Sequence, residues 1–288
     1  LRRFQDEVFR RPFTPQTALD IIDIVTNEDK FTILHSPFAM GRSFIRDFRL
    51  AISSVLHHSA PAIMDGYLAF LALVTHYQAS CLLLATLDLH RGTNALHTLQ
   101  SAEILRSHDA LCVLLLSQAL FEFEIITNSS PTSAHSIVQS ALISAQPWYL
   151  VLGRDPDFNT ITFCPVLLDL VGCLVYRNMP IIRLCGQDRI VVDRYVALFL
   201  TLLPLLYCPC ERSHAAKSNA ATRSWKSTSR ERLKDGYSDI ESSIELWAPE
   251  IPPDFFTAYD NAERHMMMMQ ANAYRLAALL VVERSPQP

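Results

Sequence analysis

Cys208-Pro-Cys210, with His214 four residues on, is the closest gathering of soft metal ligands in the chain. Zinc thiolate pairs are normally two to four residues apart, and a second pair or histidines complete the tetrahedron. One residue separates these two cysteines and no fourth ligand is evident, so they read as ordinary thiols at a helix end. His57-His58, His76, His90, His97, His108 and His135 form neither HExxH nor HxH, and Asp109 after His108 suits the positive end of a helix dipole. Neither a GxSxG nucleophile elbow nor an aspartate-rich DDxxD-type cluster occurs. Met266-Met-Met-Met269 invites soft-metal or adaptable binding, but Met266 and Met269 fall on an apolar stripe and are expected to pack, leaving Met267 and Met268 for a partner surface. The basic stretch Arg223–Lys234 lacks the tight cluster of a localisation signal and reads as a solvated loop, with Ser224, Ser227 and Ser229 open to phosphorylation. No catalytic, cofactor-binding or metal residue is assigned, and no enzyme is expected.

Composition points the same way. Of 288 residues, 50% are hydrophobic and only seven are glycine. Phosphate loops and nucleotide-binding turns need glycine, and neither GxGxxG nor GxxxxGK[ST] is present. A net charge of -4 and a pI near 6.2 give no general attraction for nucleic acid. Seven scattered cysteines read as reduced, buried thiols of an intracellular protein. Gly66–Leu87 carries no Asp, Glu, Lys or Arg, but its centre, Thr75-His-Tyr-Gln78, would be costly in a bilayer, so core helices are expected and no membrane partner. Because the chain begins with Leu1 rather than methionine, it reads as a fragment or processed product.

The elements that must position these residues are helices. Residues 1–13 read as a flexible entry. Thr14-Pro15 then starts a helix bearing Ala18, Ile21, Ile22 and Val25 on one face. Further helices are expected over Arg42–His57, Ala62–Leu87, Asn94–Arg106, Ser107–Thr127, from Ala134 onward, Pro165–Arg177 and Val191–Tyr207. Ser107–Thr127 is apolar on nearly every side and belongs at the centre of a bundle. Residues 14–210 thus form the main part of one helical domain. Residues 211–235 turn polar and basic and read as a disordered Ser-rich loop, and 236–288 close the same domain. Ser238 and Glu241 form a capping box for a helix to Trp247, stopped by Pro249. A single helix follows over Asp254–Glu283, with Phe255, Tyr259, Ala262, Met266, Met269, Ala273, Leu276 and Leu280 as its buried stripe. The expected fold is all-α, a large bundle of roughly ten helices with one disordered basic loop.

Several segments, in order, resemble a known family. They are Ser107-His-Asp-Ala110, Gln146-Pro-Trp-Tyr149, Pro165-Val-Leu-Leu-Asp169, Arg177-Asn-Met-Pro-Ile-Ile-Arg183, Val192-Asp-Arg194 and Leu202-Leu-Pro-Leu-Leu206. Ile240, Ile244, Trp247 and Pro249, followed by Ala273-Tyr-Arg-Leu-Ala-Ala-Leu-Leu280, add to them. From about Ala18 onward the chain resembles the fungal-specific transcription factor domain, the helical regulatory region of zinc binuclear-cluster (Zn2Cys6) proteins. The resemblance implies a nuclear, all-α regulatory domain that works through transcriptional co-regulators or a small-molecule effector. It also implies a DNA-binding module upstream, where any zinc would lie. No six-cysteine array is present here, so no zinc ligand is carried onto this chain and DNA is expected to be reached only through an attached module.

Two other classes remain open from the residues alone. One is an all-α enzyme with a buried apolar pocket, which would need a converging polar constellation, such as paired carboxylates and a histidine deep in one cavity, drawn from distant positions. The other is a stand-alone scaffold pairing through the last helix, a homodimer that the stripe Phe255–Leu280 permits.

Overall fold

A carboxylate and a hydroxyl begin the first described helix. Thr17 Oγ1 accepts the Asp20 N–H at 3.3 Å while Asp20 Oδ2 accepts the Thr17 N–H at 2.8 Å, a reciprocal capping box. The cap is therefore Thr17; the expected start at Thr14-Pro15 and the entry 1–13 lie outside the described residues. This computed structural model describes residues 17–36, 41–78, 89–127, 130–184, 191–221 and 238–284. Among them the chain is helical with no strand, the all-α fold expected. It clusters into two compact units, Leu1–Pro165 and Val166–Pro288.

The first unit contains α1 (Ala18–Thr26), α2 (Glu28–His35), α3 (Arg42–Gln78), α4 (Leu89–Ser101), α5 (Ser107–Thr127), α6 (Pro131–Leu152) and the start of α7 (Asn159–Tyr176). The expected helix Arg42–His57 and the described part of Ala62–Leu87 are one: α3 runs 37 residues, about 55 Å, through Pro61, and residues 79–87 lie outside the described residues. A helix-interior proline removes one hydrogen bond. Here Phe44, Phe48, Ile52 and Val55 before it, and Ile63, Tyr67, Phe70 and Val74 after it, bury one continuous face that outweighs the loss. Helix α5 is the centre, with Ala110 through Leu120 buried without interruption. It packs against α3, α4 and α6. Two glycines permit the close approach. A Cβ at Gly66 on α3 would overlap Leu116 Cδ1, and one at Gly92 on α4 would lie 2.5 Å from Phe123 Cε1. Gln118 lies inside this core because its side-chain amide donates to the Ile161 carbonyl at 2.7 Å.

In the second unit the expected helix Val191–Tyr207 starts late. Residues 191–199 are non-helical with a turn over 194–198, Leu200–Leu202 is a 3-10 turn, and the helix is α8, Leu203–Ala221. The reason is Asp193. Its Oδ1 accepts the N–H groups of Tyr195 at 2.8 Å and Val196 at 2.6 Å, holding the backbone in a turn that passes through Ala197 at φ 43°. Helix α8 also corrects the loop expected over 211–235, since residues 211–221 are helical. Arg183 pairs with Glu211, His214 Nδ1 donates to the Arg177 carbonyl at 3.2 Å, and Lys217 Nζ donates to the Tyr176 carbonyl at 3.0 Å. Those side chains tie a polar stretch to its neighbours without an apolar period. The remainder of that loop, 222–235, lies outside the described residues.

Helix α9 spans residues 238–246 and ends before Pro249 as expected; Ser238 is itself helical, and the residue that precedes it lies outside the described residues. The expected single helix Asp254–Glu283 is instead two, α10 (Phe255–Ala258) and α11 (Asn261–Arg284). Asp260 Oδ1 accepts the Glu263 N–H at 2.8 Å and Glu263 Oε2 accepts the Asp260 N–H at 3.2 Å, a second capping box that restarts the chain. The restart changes the rotational phase. Phe255 is buried, but beyond the break the buried residues of α11 are Glu263, Met267, Ala271, Ala278 and Val282. Met266, Met269, Leu276 and Leu280 are 46%, 59%, 56% and 51% exposed, so the stripe expected to be buried faces outward.

By length and apolar content alone, two described segments, Ser107–Thr127 and Pro156–Tyr176, could cross a membrane; most of each is buried within the protein.

Candidate functional site

Three of the runs that carry the family resemblance, those with Asp193, with Trp247 and with Tyr274-Arg275, meet in the second unit around segment 191–202. Trp247, after α9, donates its indole N–H to Thr201 Oγ1 at 3.1 Å. From α11, the Tyr274 ring stacks on Phe199 at 3.9 Å between centroids, and Arg275 Nη1 donates to the Glu245 carbonyl at 3.1 Å. One turn earlier, Gln270 Nε2 donates to the Tyr195 carbonyl at 3.0 Å. Burial raises the Asp193 carboxyl above its ordinary range, opposed by the hydrogen bonds from Val196 and Tyr195 and by the Arg194 charge. Two acceptor atoms here, Asp193 Oδ2 and Gln270 Oε1, are buried with no hydrogen-bond partner. Arg194 lies over the Tyr195 ring at 4.2 Å from its centroid. The arrangement braces a non-helical turn between α9 and α11.

The two cysteines of the pair face different surroundings. Cys208 is exposed and Cys210 buried on α8, since two helical steps turn a side chain by about 200°. The Cys210 thiol is pushed up to about 12, first by burial and then by the Asp169 and Glu211 charges, with Arg183 opposing them. It is not a thiolate at neutral pH. Nearby, Asp169 accepts the Ile181 N–H at 2.7 Å and the Cys173 thiol at 3.4 Å. His214 donates to a backbone carbonyl, a structural role.

Two groupings in the first unit escaped the linear spacings. His35 is buried, with Nδ1 at 2.9 Å from the Phe31 carbonyl and Nε2 at 2.9 Å from the Tyr67 hydroxyl. A carbonyl accepts only, so Nδ1 carries a proton; in the neutral ring Nε2 then accepts from Tyr67. Phe31 stacks on the ring at 3.9 Å, making an aromatic nest joining α2 to α3. The signal was a polar pair 32 residues apart within apolar faces, which no local motif encodes. Similarly, His58 and His108 sit 3.9 Å apart between ring centroids, on different helices. His58 Nδ1 is 2.9 Å from the Ser54 carbonyl, and His108 Nε2 is buried without a partner. His97 is exposed and His135 buried, while His90 lies 3.2 Å from Asn94. The side chain of His76 lies outside the described residues.

Among the described residues of the first unit, two clefts stand out. One of about 280 Å³ is lined by Ile63, Thr98, Glu103, Asp109 and Leu116. There Asp109 Oδ2 is occupied, accepting the N–H groups of Leu105 at 3.1 Å and Arg106 at 2.9 Å. The other, about 380 Å³, is lined by Gln100, Glu124, Thr132, Ser136 and Ser140 among apolar residues. Both lie at the small end of ligand sites.

Met266 and Met269 are exposed and Met267 buried, the reverse of the packing expected from the stripe. Segment Arg223–Lys234 with its serines lies outside the described residues. Compared with family models, curated proteins and solved structures, the chain finds no match.

Proposed function

We propose that this chain is the regulatory region of a transcription factor of the fungal zinc-cluster type. In this reading it acts in the nucleus on co-regulators, reaches DNA and zinc only through an attached module, and catalyses no reaction. The observation that carries it is the gathering of Asp193, Trp247, Tyr274 and Arg275 into one brace. These residues come from separate family-like runs, and their shared role is to hold a turn and two helices. That is what a fold-defining set does, and it differs from the paired carboxylates and histidine converging in one cavity that the enzyme reading requires. The cleft of about 380 Å³, with its hydroxyls and Glu124, is the place this reading gives to a small polar effector.

The test fuses residues 1–288 to an unrelated DNA-binding domain above a reporter gene in a fungal host. The expected result is reporter output raised or lowered relative to the DNA-binding domain alone, with the effect lost in Trp247→Ala. A stable, soluble fusion with no reporter effect under any growth condition would overturn the proposal.

A further inference from the structure

The outward stripe of α11 has the spacing of a coiled-coil seam. Ala262, Met266, Met269, Ala273, Leu276 and Leu280 follow one another by steps of four, three, four, three and four, and all six are exposed. We propose that this seam pairs with the same seam of a second copy of the chain, antiparallel, about a two-fold axis at the level of Ala271. The pairing stands independently of the regulatory reading.

The seam complements itself only in that orientation. The axis sets Ala262 against Leu280 of the second copy, Met266 against Leu276 and Met269 against Ala273. Two layers match a small side chain with a large one, and the third matches two of similar volume. A two-fold contact requires this self-complementarity, because each residue must suit the partner that also receives its own counterpart. Parallel pairing would instead set alanine on alanine at 262 and 273, leaving voids.

Charge permits it. The seam holds no Lys, Arg, Asp or Glu, and the residues flanking it at the axis are Gln270 and Asn272. Arg264 and Arg275 are engaged within their own copy, at the Phe256 and Glu245 carbonyls. Glu263 is buried in its cap.

The area is just sufficient. Four half-exposed Met and Leu side chains and two alanines present on the order of 500 Å² of apolar surface per copy. The total, about 1,000 Å² with both seams fully covered, sits at the lower limit of specific interfaces, and the fit of the layers rather than the area sets the affinity.

Sedimentation velocity of the whole chain from about 1 to about 100 µM reads this directly. The expected result is a rise toward twice the 32.6 kDa chain mass. Leu276→Glu places a carboxylate against Met266 of the second copy and is expected to weaken association on the order of 100-fold, with unchanged helical circular dichroism. Met269→Lys repeats the test at another exposed position should the first variant misfold. Asn272→Cys is expected to give a disulfide-linked dimer above the background of the unsubstituted chain, and Ala262→Cys is not. A monomer at about 100 µM, a dimer indifferent to both charge variants, or cross-linking through Ala262→Cys would each overturn the proposal.

Discussion

Helices α5 and α11 are both rich in apolar residues, yet one is buried on all sides and the other on one. Around α5, three helices of the first unit leave no outward face, so the direction in which each Leu or Val points is immaterial to its burial. Helix α11 has two competing stripes. Met267, Ala271, Tyr274, Ala278 and Val282 repeat by fours and threes as regularly as Met266, Met269, Ala273, Leu276 and Leu280 do. Periodicity shows that a helix is amphipathic; when both faces are apolar, what lies next to them decides which is covered.

The largest effect expected from this contrast is Leu114→Ala in α5. Leu114 is fully buried, and the cavity should cost about 2–5 kcal/mol in urea unfolding. A loss below about 1 kcal/mol would mean that α5 is loosely surrounded and would erase the comparison. Next comes Gly66→Ala, where the added methyl meets Leu116 at the approach of α3 to α5. The expected cost is about 1–3 kcal/mol, read as a lowered melting temperature, and a neutral result would show slack in that contact.

Asp193→Asn sharpens the comparison from the other side, at the turn that α11 grips through Gln270. Burial raises the folded-state pKa above its ordinary 3.8, so the folded chain holds this proton more tightly than the unfolded chain. The group therefore contributes most below the unfolded value, and the contribution is lost as pH rises toward the folded one. Asparagine keeps an acceptor for Tyr195 and Val196 and titrates nothing. The difference in urea midpoint between variant and parent should move in favour of the variant from about pH 4 to about pH 8; a constant difference would place the Asp193 carboxyl in its ordinary range.

The smallest effect belongs to Leu276→Ala on the outward face, within about 0.5 kcal/mol of the parent when measured on dilute monomer. A cost like that of Leu114→Ala would show the stripe to be covered and remove the contrast between the two helices.

Helix type, the central place of α5 and the stop at Pro249 were legible because they follow from composition and from unbroken apolar runs. The continuation of α3 through Pro61 was not, because the burial that outweighs a missing hydrogen bond comes from residues up to 17 positions away at Phe44. The break before α11 was legible in principle: Asp260 and Glu263 have the spacing of a capping box, but the apolar stripe running across them masked it. The turn over 194–198 depends on one carboxylate capturing two amides, and an aspartate in an apolar run does not announce that outcome. Pairings such as His35 with Tyr67 and Trp247 with Thr201 are set by helix packing over 32 and 46 positions, beyond any local pattern.

The restart at Asp260 bears on how this molecule can evolve. Because it turns the seam of α11 away from the core, the six seam positions can drift in sequence at little cost to the fold, while Met267, Ala271 and Ala278 remain constrained by packing. The proposed self-recognition and the folding of the chain thereby fall on opposite faces of one helix, and selection can act on either without erasing the other.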